Sequence, residues 1–197
     1  MHLHKLITDN FAFEAGGCLS QLEIVYHTSP REYQEGDRVV WLCHALTANS
    51  DPLDWWPEMV GERCWVNPDK DFVVCVNIFG SAYGTTGPRH FWSPDSGDRN
   101  NPLSFPKFTV RDTARLFTLV RQHLGIKQVD LLVGSSIGGF HALEWAIMEG
   151  DVIRRAAFIA TAPRVSPWLS AWMEVQRMAM EADPTFRACE SLDGGRK

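Results

Sequence analysis

The stretch Val129-Asp130-Leu131-Leu132-Val133-Gly134-Ser135-Ser136-Ile137-Gly138-Gly139-Phe140-His141-Ala142-Leu143-Glu144-Trp145-Ala146 constrains the fold more than any other. It reads as a buried strand, a tight turn and a helix. Gly134, Ser136 and Gly138 match G-x-S-x-G, the nucleophile elbow, in which small neighbours let a strained turn lift a serine hydroxyl above a sheet. The pattern alone arises by chance in glycine-rich loops. Here Leu131-Leu132-Val133 supplies the strand, and Phe140, Leu143, Ala146 and Ile147 supply an apolar helix face at i, i+3, i+6 and i+7. The competing reading is a purely structural tight turn.

At 197 residues and 45% hydrophobic content, the chain suits one well-buried core and is short for two full domains. The net charge of −5, with no run of Lys or Arg, argues against nucleic acid or an anionic membrane as partner and favours a small substrate. The five cysteines, Cys18, Cys43, Cys64, Cys75 and Cys189, are odd in number and form no C-x-x-C pair, which fits a reducing cytoplasm. Met1-His2-Leu3-His4-Lys5 leads into no apolar signal-like run, and no apolar run nears the roughly 20 residues that span a bilayer. Secretion and membrane insertion are not expected.

Along the chain, Phe11 to Ala15 and Leu19 to His27 read as two strands around Gly16-Gly17, an antiparallel hairpin. Val39 to Cys43 and Phe72 to Val76 are continuous apolar runs that suit strands buried on both faces of a parallel sheet. A Trp-rich turn or short helix lies between them. Gly80 to Phe108 is a long loop rich in Gly, Pro, Asn, Asp and Ser, of a length that favours function over plain connection. Thr109-Val110-Arg111-Asp112 predicts a capping box, followed by a helix with Ala114, Phe117, Val120 and Leu124 on one face, ending at Gly125. Ala156 to Ala160 predicts another buried strand, and Pro167 to Ala182 a Trp- and Met-rich helix. Strands alternating with helices after a hairpin predict a mostly parallel α/β sheet, and the elbow narrows this to the α/β-hydrolase arrangement.

A serine nucleophile needs a base, a group to orient that base and donors for the oxyanion. In an elbow one donor is the N–H of the residue after the nucleophile, Ile137, and the other comes from the loop after an earlier strand. That loop is His44-Ala45-Leu46-Thr47, and Leu46 is the predicted second donor; otherwise the loop is only a strand exit. His44 precedes the serine and so breaks the order Ser, Asp or Glu, His; it is read as shaping the oxyanion loop. His141, five residues after Ser136 on the departing helix, is read as packed or partly exposed. His2, His4, His27, His90 and His123 have no metal-ligand spacing, and no metal is expected. Asp151, Asp183 and Asp193 read as turn or cap residues, leaving no evident base. Gly80 to Pro88 lacks the Lys-Ser/Thr ending of a phosphate loop and reads as a rigid pocket wall. Trp55-Trp56 and the pair Trp168 and Trp172 favour packing over ligand contact.

Together, Cys43 to Thr47 with Trp55-Trp56 and Val60-Gly61, Val76 to Gly80 with Tyr83-Gly84-Thr85-Thr86-Gly87-Pro88, Gly134 to Gly139, and Leu143 to Ala146 resemble the homoserine O-acetyltransferase family of α/β-hydrolase-fold acyltransferases. The resemblance runs over nearly the whole chain but only the first half of such an enzyme. It implies a cytoplasmic, usually dimeric enzyme of methionine biosynthesis that moves an acyl group from acyl-CoA, acetyl-CoA in the named reaction, to the γ-hydroxyl of L-homoserine through acyl-Ser136. Acyl-CoA is then a co-substrate, with no separate cofactor. The family's catalytic Asp and His, and the arginine for the homoserine carboxylate, fall in the later half, and this chain lacks them. The expected organisation is residues 1–165 as the N-terminal part of the core and 166–197 as the start of an incomplete helical lid, truncated before the later strands. The stretch from Phe186 to Lys197 reads as lid interior. Another acyltransferase or esterase, with a different acceptor such as serine, and a non-catalytic remnant are the alternatives. Acetyl against succinyl as donor stays open.

Overall fold

A computed structural model describes residues 1–91 and 105–184. The elements are β1 (His2–Ala12), β2 (Cys18–Thr28), β3 (Val39–Cys43), α1 (Pro52–Trp55), β4 (Phe72–Val76), α2 (Val110–His123), β5 (Leu131–Ser135), α3 (Ile137–Met148), β6 (Ala156–Ile159) and α4 (Pro167–Ala182). The six strands form one sheet in the order β1-β2-β4-β3-β5-β6. β3, β4, β5 and β6 run parallel, while β2 is antiparallel to β4 and to β1. This is the mostly parallel sheet with an N-terminal hairpin that the pattern predicts. The hairpin is longer than its apolar run: β1 begins at His2, and Phe13 to Gly17 form the turn, with Gly16 and Gly17 at φ 93° and 88°. Polar residues on the exposed face of β1 hide its alternation.

Two faces of the sheet are filled differently. Trp41 from β3 meets Trp145 of α3 at 4.7 Å and Phe117 of α2 at 6.0 Å between ring centroids, so α2 and α3 cover one face. Burying an aromatic side chain of this size is worth about 4 kcal/mol at roughly 25 cal/mol per Å². On the other face Val40, Leu42, Val73, Cys75, Leu131 and Val133 pack with Val60, Val66 and the stacked Trp55 and Trp56. Continuous apolar runs in β3 and β4 follow from this covering on both sides.

The helix over the chain's 110–123 segment has the predicted cap. Thr109 accepts from the Asp112 N–H, Asp112 accepts from the Thr109 N–H, and Gly125 closes the end at φ 67°. Two other expectations are corrected. α3 does not bury Phe140, Leu143, Ala146 and Ile147; it buries Gly138, His141, Ala142 and Trp145, and Ile147 is 67% exposed. The buried stripe lies on nearly the opposite side of the helix, about 160° round at roughly 100° per residue, because the glycines at the helix start press that side onto the sheet. β6 is not buried either, since it lies at the sheet edge and exposes Phe158 and Ile159.

The chain divides into two compact units, Met1–Thr86 with Pro106–Thr161 and Gly87–Phe105 with Ala162–Lys197. The first holds the sheet, α1, α2 and α3; the second holds α4 and a short 3-10 turn, Pro88–Phe91. In α4, Ser166 caps the first turn and Pro167 follows it, while Trp168 and Trp172 meet edge to face at 5.9 Å. No described helix is long and apolar enough to cross a membrane. Cys43 and Cys75 are buried free thiols, and Cys18 and Cys64 are also unbridged. The expectations placed on Asp193, Cys189 and Phe186 to Lys197, and on the middle of the Gly80–Phe108 loop, lie outside the described residues.

Candidate active site

β5 ends at Ser135, and the chain turns at Ser136 with φ 54° and ψ −123° before α3 begins. That is a left-handed backbone at a non-glycine residue, which costs on the order of 1–3 kcal/mol and is kept where the surroundings over-determine it. They do so here. The Ser136 N–H donates to Ile159 O of β6 at 3.0 Å, and Ser136 O accepts from Gly139 N–H at 3.0 Å. The Ser136 side chain is exposed and makes no capping hydrogen bond. Its hydroxyl therefore stands at the N-terminus of α3, where unpaired N–H groups and the helix dipole favour negative charge.

The glycines of the motif serve close approach. A Cβ on Gly134 would lie 2.5 Å from Gly138 O and 2.6 Å from Ala142 Cβ, and one on Gly138 would lie 2.2 Å from Cys43 O and 2.6 Å from His44 O. A Cβ on Gly139 would strike the Thr161 side chain at 2.4 Å. None of the three has a positive φ. The strain sits on the serine, and the glycines let the first turn of α3 lie against the end of β3.

This brings two distant segments to one edge. Cys43 pairs with Gly134 across β3 and β5, so the loop after β3 and the elbow leave the sheet together. Leu46 lies on that loop with its side chain 65% exposed. Among the described residues, neither the Leu46 N–H nor the Ile137 N–H donates to another group. Ser136 and Ile137 are thus adjacent on the elbow, and Leu46 is on the loop whose first carbonyls α3 abuts.

His44 is fully buried. Its Nδ1 lies 2.8 Å from Ala45 O, and its Nε2 accepts from Ile78 N–H at 3.3 Å. Burial lowers its pKa and the bond to Ala45 works the other way. With both nitrogens engaged, it is not available as a base. His141 is buried too, edge-on to Phe117, and its Nδ1 has no partner. Burial, helped by His44, pushes its pKa down to about 4. It is a packed histidine. Among the described residues, no group of three or more His, Cys, Asp or Glu could hold a metal ion.

Sequence reasoning underrated the support behind this edge. Thr85 Oγ1 accepts from Val25 N–H at 3.0 Å and donates to Asn77 O at 2.8 Å, while Thr86 Oγ1 accepts from Glu23 N–H at 2.9 Å. Gly84, at φ 107°, leaves room for Val25, whose Cγ2 would be 2.8 Å from an added Cβ. The 83–86 segment thus takes up backbone groups of β2 where β4 no longer pairs with it. Asn77 Nδ2 donates to Tyr83 O and Ser50 Oγ, and Ser50 Oγ lies 2.7 Å from His27 Nδ1. The signal for this was the polar Asn77 directly after a wholly apolar strand.

The profile of the family described as alpha/beta hydrolase fold matches residues 38–193. A homoserine O-acetyltransferase of Trichormus variabilis is 40% identical over 177 residues, 90% of this chain and 49% of its own length. The solved structure of homoserine O-acetyltransferase from Bacillus anthracis superposes with a TM-score of 0.78 at 25% identity, covering 99% of this chain and 54% of that one. An acetylester hydrolase from Corynebacterium glutamicum shares the fold, with a TM-score of 0.80 at 21% identity over 99% of this chain and 52% of that one. The chain spans about half the length of the curated relatives it matches. With the elbow at the end of β5, the parallel sheet around it and a family match over most of its residues, the chain belongs to the alpha/beta-hydrolase fold family.

Proposed function

We propose that these residues form the nucleophile and oxyanion part of an O-acetyltransferase that acts on L-homoserine. The observation that carries the nucleophile is Ser136 itself, a strained, exposed serine at a helix N-terminus with a free hydroxyl. The acetyl donor and the homoserine acceptor rest on likeness to relatives named for that activity.

In this reading the Ser136 Oγ bonds to the carbonyl carbon of the acetyl-CoA thioester, the C–S bond breaks, and CoA leaves as its thiol. The N–H groups of Ile137 and Leu46 stabilise the oxyanion formed on the way. The base that takes the Ser136 proton and returns it to the leaving sulfur is neither His44 nor His141; the resemblance to the family assigns that role to a histidine of the enzyme's later half. The γ-hydroxyl of homoserine then attacks the acyl-serine, yields the acetyl ester and restores Ser136. Acetyl-CoA serves as co-substrate, with no further cofactor. Residues 1–165 belong to the N-terminal part of the core and 166–197 to the start of an incomplete helical lid; the working enzyme is a cytoplasmic homodimer in methionine biosynthesis.

The test is incubation of the full-length protein with labelled acetyl-CoA, peptide mapping of the adduct, and a chase with L-homoserine. Label on Ser136 that homoserine removes is the expected result. Label on Ser135, or full turnover in Ser136→Ala, overturns the nucleophile. Label that water removes as fast as homoserine points to an esterase. Leu46→Pro deletes one oxyanion N–H and is expected to lower kcat by about 10²–10³ with the fold retained.

A further inference from the structure

A histidine buried at a strand exit must pair both ring nitrogens or lose hydrogen bonds it had in water. His44 pairs both with backbone. The Ile78 N–H can only donate, so Nε2 is the bare acceptor nitrogen and the ring proton sits on Nδ1. Nδ1–H then donates to Ala45 O, which also accepts from Ala48 N–H at 3.1 Å. Two donors fix the direction of that carbonyl.

Ala45 O and Leu46 N–H belong to one peptide group. The group is planar and trans, with no cis bond among the described residues, so its oxygen and its hydrogen point opposite ways. The oxygen is drawn to the buried ring. The hydrogen therefore faces away from the ring, and no described residue accepts it. The elbow is the neighbour at this edge, because a Cβ on Gly138 would touch the carbonyls of both Cys43 and His44.

We propose that His44 is a positioning residue: its Nδ1–H holds the Ala45 carbonyl and thereby aims the Leu46 N–H at the oxyanion formed on Ser136. The proposal rests on the reading of Ser136 as an acylated nucleophile and goes beyond it by naming what orients one donor. An oriented dipole of this kind needs no reorganisation when charge develops. Ile78, on the chain after β4, takes part by dictating the tautomer.

The experiment compares His44→Leu with His44→Asn in the acylating protein, using p-nitrophenyl acetate and, separately, acetyl-CoA with L-homoserine. The Asn amide can donate from the position of Nδ1. His44→Leu is expected to lower kcat for both donors by about 10–100-fold, less than outright loss of an oxyanion donor, with KM little changed. His44→Asn should recover most of it. Full kcat in a folded His44→Leu, or a folded His44→Asn as slow as His44→Leu, overturns the proposal. Nitrogen NMR of the unsubstituted protein reads the tautomer whether or not a variant folds or turns over: a proton on Nδ1 supports the proposal and one on Nε2 sinks it. A protein that cleaves the ester but ignores homoserine defeats the acceptor reading alone and leaves the His44 comparison intact.

Discussion

Ser136 holds its left-handed backbone because neighbours on both sides leave it no alternative, and Gly138 is the most exacting of them. Gly138→Ala places a methyl group into two carbonyl oxygens of the β3 exit, and backbone cannot step aside as a flexible side chain would. It is expected to cost at least about 3 kcal/mol, the upper end for overpacking. Gly16→Ala, where nothing lies within 4 Å, should cost only the left-handed penalty of about 1–2 kcal/mol. Urea unfolding of the two variants gives the comparison, and equal losses would refute the close-approach account. His141 makes a pH prediction. Its folded pKa, about 4, lies below the ordinary histidine value of 6.5, so the unfolded chain binds the proton first. Its contribution is complete above about pH 6.5 and is lost as pH falls toward 4, by up to roughly 3 kcal/mol at 1.36 kcal/mol per pKa unit. His4, His27 and His44 shift the same way, so the test is the difference from a variant. His141→Phe should lose less stability than the parent between pH 7 and pH 4.5 in denaturant titrations; parallel losses would show that His141 is not a source of the decline.

At the scale of elements, α2 shows a local signal and a tertiary one joined in one carboxylate. Thr109 and Asp112 cap the helix reciprocally, as four letters of sequence predict. Asp112 is also buried, accepting from Glu14 N–H at 3.0 Å and pairing with Arg115 at 3.1 Å, which ties the end of the hairpin to the helix. Thr109→Ala removes the cap and an exposed hydrogen bond that Thr109 Oγ1 donates to Glu14 Oε2 at 2.6 Å, and should cost about 1 kcal/mol. Asp112→Ala also strands the Glu14 N–H and takes one partner from Arg115, which keeps Ala12 O, and should cost about 3 kcal/mol. Thermal or chemical melts rank them, and an Asp112→Ala no worse than Thr109→Ala would limit Asp112 to capping. α3 teaches the reverse lesson. Its residues are apolar nearly all round, so periodicity could not choose a face; the close approach of Gly134 and Gly138 chose it.

For the whole molecule, an apolar edge and an apolar helix remain uncovered among the described residues. β6 exposes Phe158 and Ile159, and α4 exposes Trp168, Trp172, Met173 and Val175. Exposed strand edges and large apolar patches favour association. A polypeptide of these 197 residues made alone is therefore expected to bind hydrophobic dye strongly and to self-associate. It should also show no multiple turnover of acetyl-CoA with homoserine, since the two histidines nearest the elbow are engaged or buried. Light scattering, dye fluorescence and CoA release check this together. A monodisperse, cooperatively melting and catalytic product would refute it and return attention to His44 and His141 as bases.

The sequence by itself determined the elbow, the capping box, the bounds of β3, β4 and α4, and the parallel character of the sheet, because each is written in a local pattern of glycine, cap residue or apolar period. Only the tertiary structure decided which side of α3 is buried and that β6 lies exposed at an edge. It also decided that His44 gives both nitrogens to backbone, and that Thr85 and Thr86 complete β2. These depend on partners far along the chain, Gly138 against Cys43 or Thr85 against Val25, and a linear pattern carries no record of which backbone groups a fold will leave unpaired.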